Sequence, residues 1–157
     1  QVTAARPKVA AYPFTTLNPM IGTLVFDDYV KIRVADLPGL ISGASEGVGL
    51  GDAFLRHVER APVLVYVIDM AGIDMRKPYQ DYVDLRKELE QYKADLLDRP
   101  SIIVANKMDL PESKANLAEF KKRTRTKPLS VSTVTGAGLA PFKKALFKLW
   151  TARQNPG

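Results

Sequence analysis

The sequence predicts an α/β fold built on a mostly parallel sheet with helices on both faces. Three observations carry that expectation. Segments of strand period and helix period take turns along the chain. Two strand segments, VLVYVID (63–69) and SIIVAN (101–106), are continuous apolar runs of the kind buried on both faces. The 157 residues are 46% hydrophobic and 25% charged, which suits one domain with a core and is too apolar for a disordered chain.

Each element has its own signal. Val30, Ile32 and Val34 alternate with Lys31 and Arg33, the mark of a strand with one wet face. Phe54, Leu55 and Val58 set a short helix after a glycine-rich run, and residues 63–69 form the first buried strand. Tyr82, Leu85, Leu89, Tyr92 and Leu96 keep three-or-four spacing and predict one helix, with Pro78 suited to its first turn. Residues 101–106 follow as a second buried strand and 128–131 as a third, short one. Leu139, Phe142, Leu146 and Leu149 then predict a last helix, with Pro141 in its first turn. Residues 152–157 read as a tail or the start of a linker. Right-handed crossovers would place any ligand at the carboxyl ends of the strands.

Composition removes several function classes. The chain has no cysteine, so disulfides and thiolate metal sites are excluded, and His57 is its only histidine, which argues against a His-rich metal centre. No apolar run is long enough to cross a bilayer, so no integral membrane segment is expected, and the N-terminus lacks the layout of a secretory signal. The formal net charge is +6, with the basic excess late, in KKRTRTK (121–127) and FKKALFKLW (142–150). That balance favours a polyanion such as RNA, while a solvated helix surface accounts for the same residues equally well.

Asp36, Asp69 and Asn106 each end an apolar strand. DLPG (36–39) puts a carboxylate at a strand end and a glycine three residues on, where a main-chain N–H can approach an anionic oxygen; Pro-Gly is also common turn chemistry. NKMD (106–109) offers an amide, an ammonium and a carboxylate on a tight turn. A carboxylate that accepts two N–H groups from one edge of a guanine, beside an amide addressing the other, selects guanine over adenine; an ordinary capped turn is the alternative. Asp69 fits no such role and reads as a helix-capping or loop acid.

The order of these pieces, DxPG then NKxD, with Ser132 and Thr133 after the third strand, resembles the guanine-nucleotide-binding domain of GTPases. YPFTTLNPMIG (12–22), DLPGLISGASEGVGLG (36–51) and FLRHVERA (54–61) are similar to the Obg family, over essentially the whole chain. The resemblance implies a phosphate-loop NTPase-type, Ras-like G domain, here a partial one over residues 1–157. It implies that Thr16, with Thr15 as the neighbouring alternative, ligates Mg²⁺ and faces the γ-phosphate, that Asp36 holds Mg²⁺ through water, and that Gly39, after Pro38, donates its N–H to the γ-phosphate. Asn106 and Asp109 would read the guanine of GTP or GDP, the Lys107 stem would cover its ring, and Ser132 and Thr133 would complete the base loop. Thr133 departs from the family's usual alanine there.

Residues 36–51 read in that light as a nucleotide-controlled switch rather than a merely flexible loop. Leu40 stands where many GTPases carry a water-orienting glutamine, so slow intrinsic hydrolysis is expected, completed by another group, a monovalent cation or a partner. His57 and Arg56 are expected to be exposed or partner-facing rather than catalytic. No G-x-x-x-x-G-K-[ST] occurs, so the first strand and phosphate loop are expected to be missing and the fragment alone inactive. The resemblance further implies a role in assembly of the large ribosomal subunit, with rRNA as a partner and DNA excluded, and a ribosome-associated location. The high pI favours the mitochondrial matrix over the bacterial cytoplasm as that location. A degenerate domain serving as a non-enzymatic ribosome or RNA interaction module is the alternative.

Overall fold

The computed structural model describes residues 20–26, 30–36 and 58–154, in two compact units, residues 1–61 and 62–157. In the first unit, β1 (Met20–Val25) and β2 (Lys31–Asp36) form an antiparallel hairpin running from the Met20–Asp36 pair to the Val25–Lys31 pair. The Phe26 N–H donates to the Val30 carbonyl at 2.9 Å and continues the ladder. Leu24 and Ile32 face each other across the ladder and are buried, while Ile21 and Val25 are exposed, so the period-two alternation survives. β2 matches the expected strand; β1 has no counterpart among the expected elements. Residues 58–60 are helical, the described part of the short helix expected there, and Phe54 and Leu55 lie outside the described residues.

The second unit holds a parallel sheet in the order β3 (Leu64–Asp69), β4 (Ser101–Asn106), β5 (Leu129–Ser130). β4 is central, and Ile102, Val104 and Ala105 are buried as a doubly covered strand requires. Among the described residues β3 is an edge strand, and it departs from the expectation: Leu64, Tyr66 and Ile68 are buried, but Val67 between them is 61% exposed. Val67 lies on the face opposite Leu64, Tyr66 and Ile68 and is left open there, so an apolar run does not guarantee two covered faces.

Helix α1 (Pro78–Tyr92) follows β3. Pro78 sits at its first position, where the missing N–H needs no partner, and the N–H groups of Gln80 and Asp81 bond the Lys77 carbonyl. The helix stops at Tyr92 because Lys93 is extended, with its N–H returned to the Leu89 carbonyl. Leu96, expected to continue the same stripe, belongs instead to a separate 3₁₀ turn (Ala94–Asp98), where it is fully buried. Three-or-four spacing cannot tell one helix from a helix plus a well-packed turn.

Helix α2 (Ser113–Thr124) links β4 to β5 and ends at Arg125 in the left-handed region, with Lys121, Lys122 and Arg123 in its last turn, where cations complement the helix dipole. Most of the basic run 121–127 is therefore an exposed helix end. Between β3, α1 and α2 lies an aromatic cluster: Tyr66 meets Tyr82 edge-on at 5.5 Å, and Tyr82 meets the fully buried Phe120 at 5.4 Å. Burial raises the Tyr66 hydroxyl above its ordinary pKa, an effect that nearby Arg86 opposes and Tyr82 reinforces. Helix α3 (Leu139–Gln154) buries Leu146 and returns an Arg153 N–H to the Pro62 carbonyl at 2.6 Å.

Candidate functional site

In the parallel sheet every strand delivers its carboxyl end to the same edge, which is where the chemistry-bearing side chains of the second unit gather. Asn106 is the last residue of β4. Its main-chain carbonyl accepts the Met70 N–H at 3.1 Å, tying the ends of β3 and β4 together. Its side-chain oxygen accepts the Thr133 N–H at 3.3 Å, which leaves the amide NH₂ as the group able to meet a ligand, as a donor.

Asp109 is exposed, and its Oδ1 accepts the Ser132 hydroxyl at 2.6 Å. Ser132 is only 1% exposed and spends both of its functions on the site, because its Oγ also accepts the Thr135 N–H at 3.1 Å. A carboxylate has about four lone-pair positions, so Asp109 anchored this way still accepts from a pair of ligand N–H groups. The Met108 N–H bonds the Val131 carbonyl at 3.1 Å, sewing the two loops together. The loop after β5 is closed by the Ser132 N–H on the Ala137 carbonyl and the Gly136 N–H on the Ser132 carbonyl. Gly138 at φ +76° is required there, since a Cβ would lie 2.0 Å from the Ser130 carbonyl oxygen.

Lys107 is held at both ends. Its main chain is left-handed at φ +63°, an uncommon conformation for a residue with a side chain, and its carbonyl accepts the hydroxyl of the fully buried Ser113 at 2.7 Å. Its ammonium pairs with Asp69 Oδ2 at 2.6 Å. Asp69 Oδ1 accepts the Ala71 N–H at 2.9 Å, the loop role expected for that acid. Asn116 on α2 in turn donates to the Met70 and Ala71 carbonyls at 2.8 and 3.4 Å.

The structure thus brings together Asn106, Lys107, Asp109, Ser132 and Thr133. Asp36 ends β2 in the first unit and is exposed. Thr15, Thr16, Pro38, Gly39, Leu40, Arg56 and His57, with nearly all of the glycine-rich run, lie outside the described residues. Sequence reasoning missed Ser113, Asn116 and the partner of Asp69. Asp69 carried a signal as an acid at a strand end, but Ser113 and Asn116 carried none. Among the described residues no group of three or more His, Asp or Glu side chains could hold a metal ion, and no helix is long and apolar enough to cross a membrane.

Comparison with known proteins fits this arrangement. A family profile described as "50S ribosome-binding GTPase" matches residues 1–107. GTPase Obg of Bacillus licheniformis is 55% identical over 140 residues, 88% of this chain and 33% of that protein. GTPase Obg of Bacillus pumilus is 51% identical over 150 residues, 94% of this chain and 34% of that protein. The chain spans about a third of the length of these curated relatives. Both relatives are bacterial, and nothing in them supports a mitochondrial placement. Among solved structures, a variant of Aquifex aeolicus Era bound to GDP.AlF4- superposes with a TM-score of 0.60 at 20% identity, over 90% of this chain and 47% of that one, a likeness of fold. The chain therefore belongs to the 50S ribosome-binding GTPase family, with Obg GTPases as its relatives.

Proposed function

We propose that the chain is the guanine-nucleotide-reading part of an Obg-type GTPase, a switch that hydrolyses GTP slowly and acts in assembly of the large ribosomal subunit. The observation that carries the reading is the pairing of the two loops: Ser132 fixes the Asp109 carboxylate and the Thr133 N–H fixes the Asn106 amide. Both groups are oriented before any ligand arrives, so a purine edge carrying two donors is met by an acceptor already in place. Adenine presents the opposite polarity at that edge. Leaving such a group unpaired against it costs about 1–3 kcal/mol per group.

The phosphate side of the mechanism is assigned to the other motif residues. Thr16 and Asp36 would hold Mg²⁺, whose chemistry is to neutralise charge developing on the phosphates, and Gly39, following Pro38, would donate its main-chain N–H to the γ-phosphate. Leu40 has no group to orient water, so hydrolysis waits for another group, a monovalent cation or the ribosome. The bacterial cytoplasm is the location the relatives favour. rRNA is the partner that the exposed basic end of α2 suits.

Competition against labelled GDP in the full-length protein tests the reading. Unlabelled GDP and GTP displace the label, and ADP or ATP at about a hundredfold excess does not. Equal displacement by adenine nucleotides would refute it.

A further inference from the structure

We propose that Asp69 is a positioning residue of the base-binding site: its carboxylate holds the Lys107 ammonium, so that the lysine stem stands as a fixed wall beside Asn106 and Asp109 before nucleotide binds. The inference rests on the guanine reading above and deepens it. Lys107 is pinned at its carbonyl by the buried Ser113 hydroxyl at 2.7 Å and at its far end by Asp69 at 2.6 Å, which leaves the four-carbon stem little freedom between two anchors.

Asp69 is itself well anchored. Its second oxygen accepts the Ala71 N–H, and the carbonyls of Met70 and Ala71 are gripped by the Asn116 amide from α2. The next residue, Gly72 at φ +63°, has no room for a side chain: a Cβ would lie 2.8 Å from the Arg76 carbonyl oxygen and 3.0 Å from the Asn116 amide nitrogen. The turn that carries the acid is thus fixed by packing rather than by the ion pair.

A purely structural role explains the pair poorly. Both side chains keep substantial exposure, 37% for Lys107 and 42% for Asp69, and half-exposed ion pairs contribute little to folding. What the contact does supply is orientation. A lysine free in solvent would lose rotamer freedom on covering a base, whereas one already held loses little.

The test is the GDP dissociation rate of the full-length protein and its Asp69→Asn variant, followed with a fluorescent GDP. Asparagine keeps an oxygen for the Ala71 N–H and replaces the charged acceptor facing the Lys107 ammonium with an uncharged NH₂ donor, which cannot hold it. Dissociation should quicken by about two- to fivefold, with the difference narrowing as salt rises and the pair is screened. In a Lys107→Met background, which keeps an unbranched apolar stem, Asp69→Asn should change nothing further. Wild-type dissociation from Asp69→Asn, or the same acceleration in the Lys107→Met background, would overturn the inference and leave the guanine reading standing. Failure of the wild-type protein to retain GDP would overturn both.

Discussion

The hairpin of the first unit and the parallel sheet of the second make opposite use of their strand ends. In the hairpin, antiparallel pairing puts the end of β2 beside the start of β1, Asp36 against Met20, so neighbouring strands send their carboxyl ends in opposite directions. In the parallel sheet, β3, β4 and β5 send theirs the same way, and Asp69, Asn106 to Asp109 and Ser132 converge. Strand direction, more than composition, decides where side chains distant in sequence can act on one ligand. The same contrast runs through packing. β1 exposes Val25 at 61%, whereas the second unit seals Phe120 completely against Tyr82.

That contrast can be broken most directly by stability measurements. Phe120→Ala should lose about 3–5 kcal/mol in urea denaturation, because a buried ring leaves a cavity. Val25→Thr in the hairpin should stay within about 0.5 kcal/mol of the parent. Comparable losses at the two positions would erase the distinction between the units.

The sequence made the second unit largely readable because apolar runs and strand-end motifs coincide in it. The segment 101–106 reads as buried and is central, and NKMD follows it at the strand end. At other points of both units the physics was not local. β1 interrupts its apolar residues with Gly22 and Thr23 and takes its strand character from pairing with β2. α2 has only Leu117 and Phe120 as buried large apolar residues, too few for a clear helical stripe. The break between α1 and the turn bearing Leu96 depends on one extended residue, Lys93, that nothing in its neighbourhood announces. Ser132 was identifiable from motif order, but its hold on Asp109 was not, nor was the contact between Lys107 and Asp69, which requires parallel pairing of β3 and β4 to exist.

A second comparison, within the second unit, separates groups that organise the site from groups that merely decorate the surface. Ser132→Ala removes the donor to Asp109 and the acceptor for the Thr135 N–H, and should weaken GDP binding by about 1–3 kcal/mol in calorimetric titration. A loss of folding without a change in affinity would place Ser132 among the structural residues instead.

Smaller still is the effect of Glu88 on α1. Its Oε2 is buried with no hydrogen-bond partner, and its pKa is raised, by burial first and by the Asp84 charge second. A carboxyl whose folded-state pKa lies above its unfolded value binds more protons when folded, so stability falls as pH rises through the interval above about 4.5. Glu88→Gln should remove that carboxyl's share of the slope and stabilise the protein at neutral pH. Unchanged melting curves between pH 4 and 7 in the two proteins would contradict it. Least of all should come from Glu119→Ala on α2, which removes an exposed i, i+4 ion pair with Arg123 and should cost no more than about 0.5 kcal/mol, vanishing in high salt.

The central claim is that the carboxylate of Asp109, held by Ser132, reads the two-donor edge of a guanine. Asp109→Asn converts one acceptor into a donor, which suits xanthine, where a carbonyl replaces the exocyclic amine of guanine. Affinities of GDP and XDP should be measured for the parent and the Asp109→Asn variant of the full-length protein. The account predicts a fall in GDP affinity of at least about a hundredfold together with a gain for XDP. GDP binding unchanged by the substitution, with no gain for XDP, would contradict it.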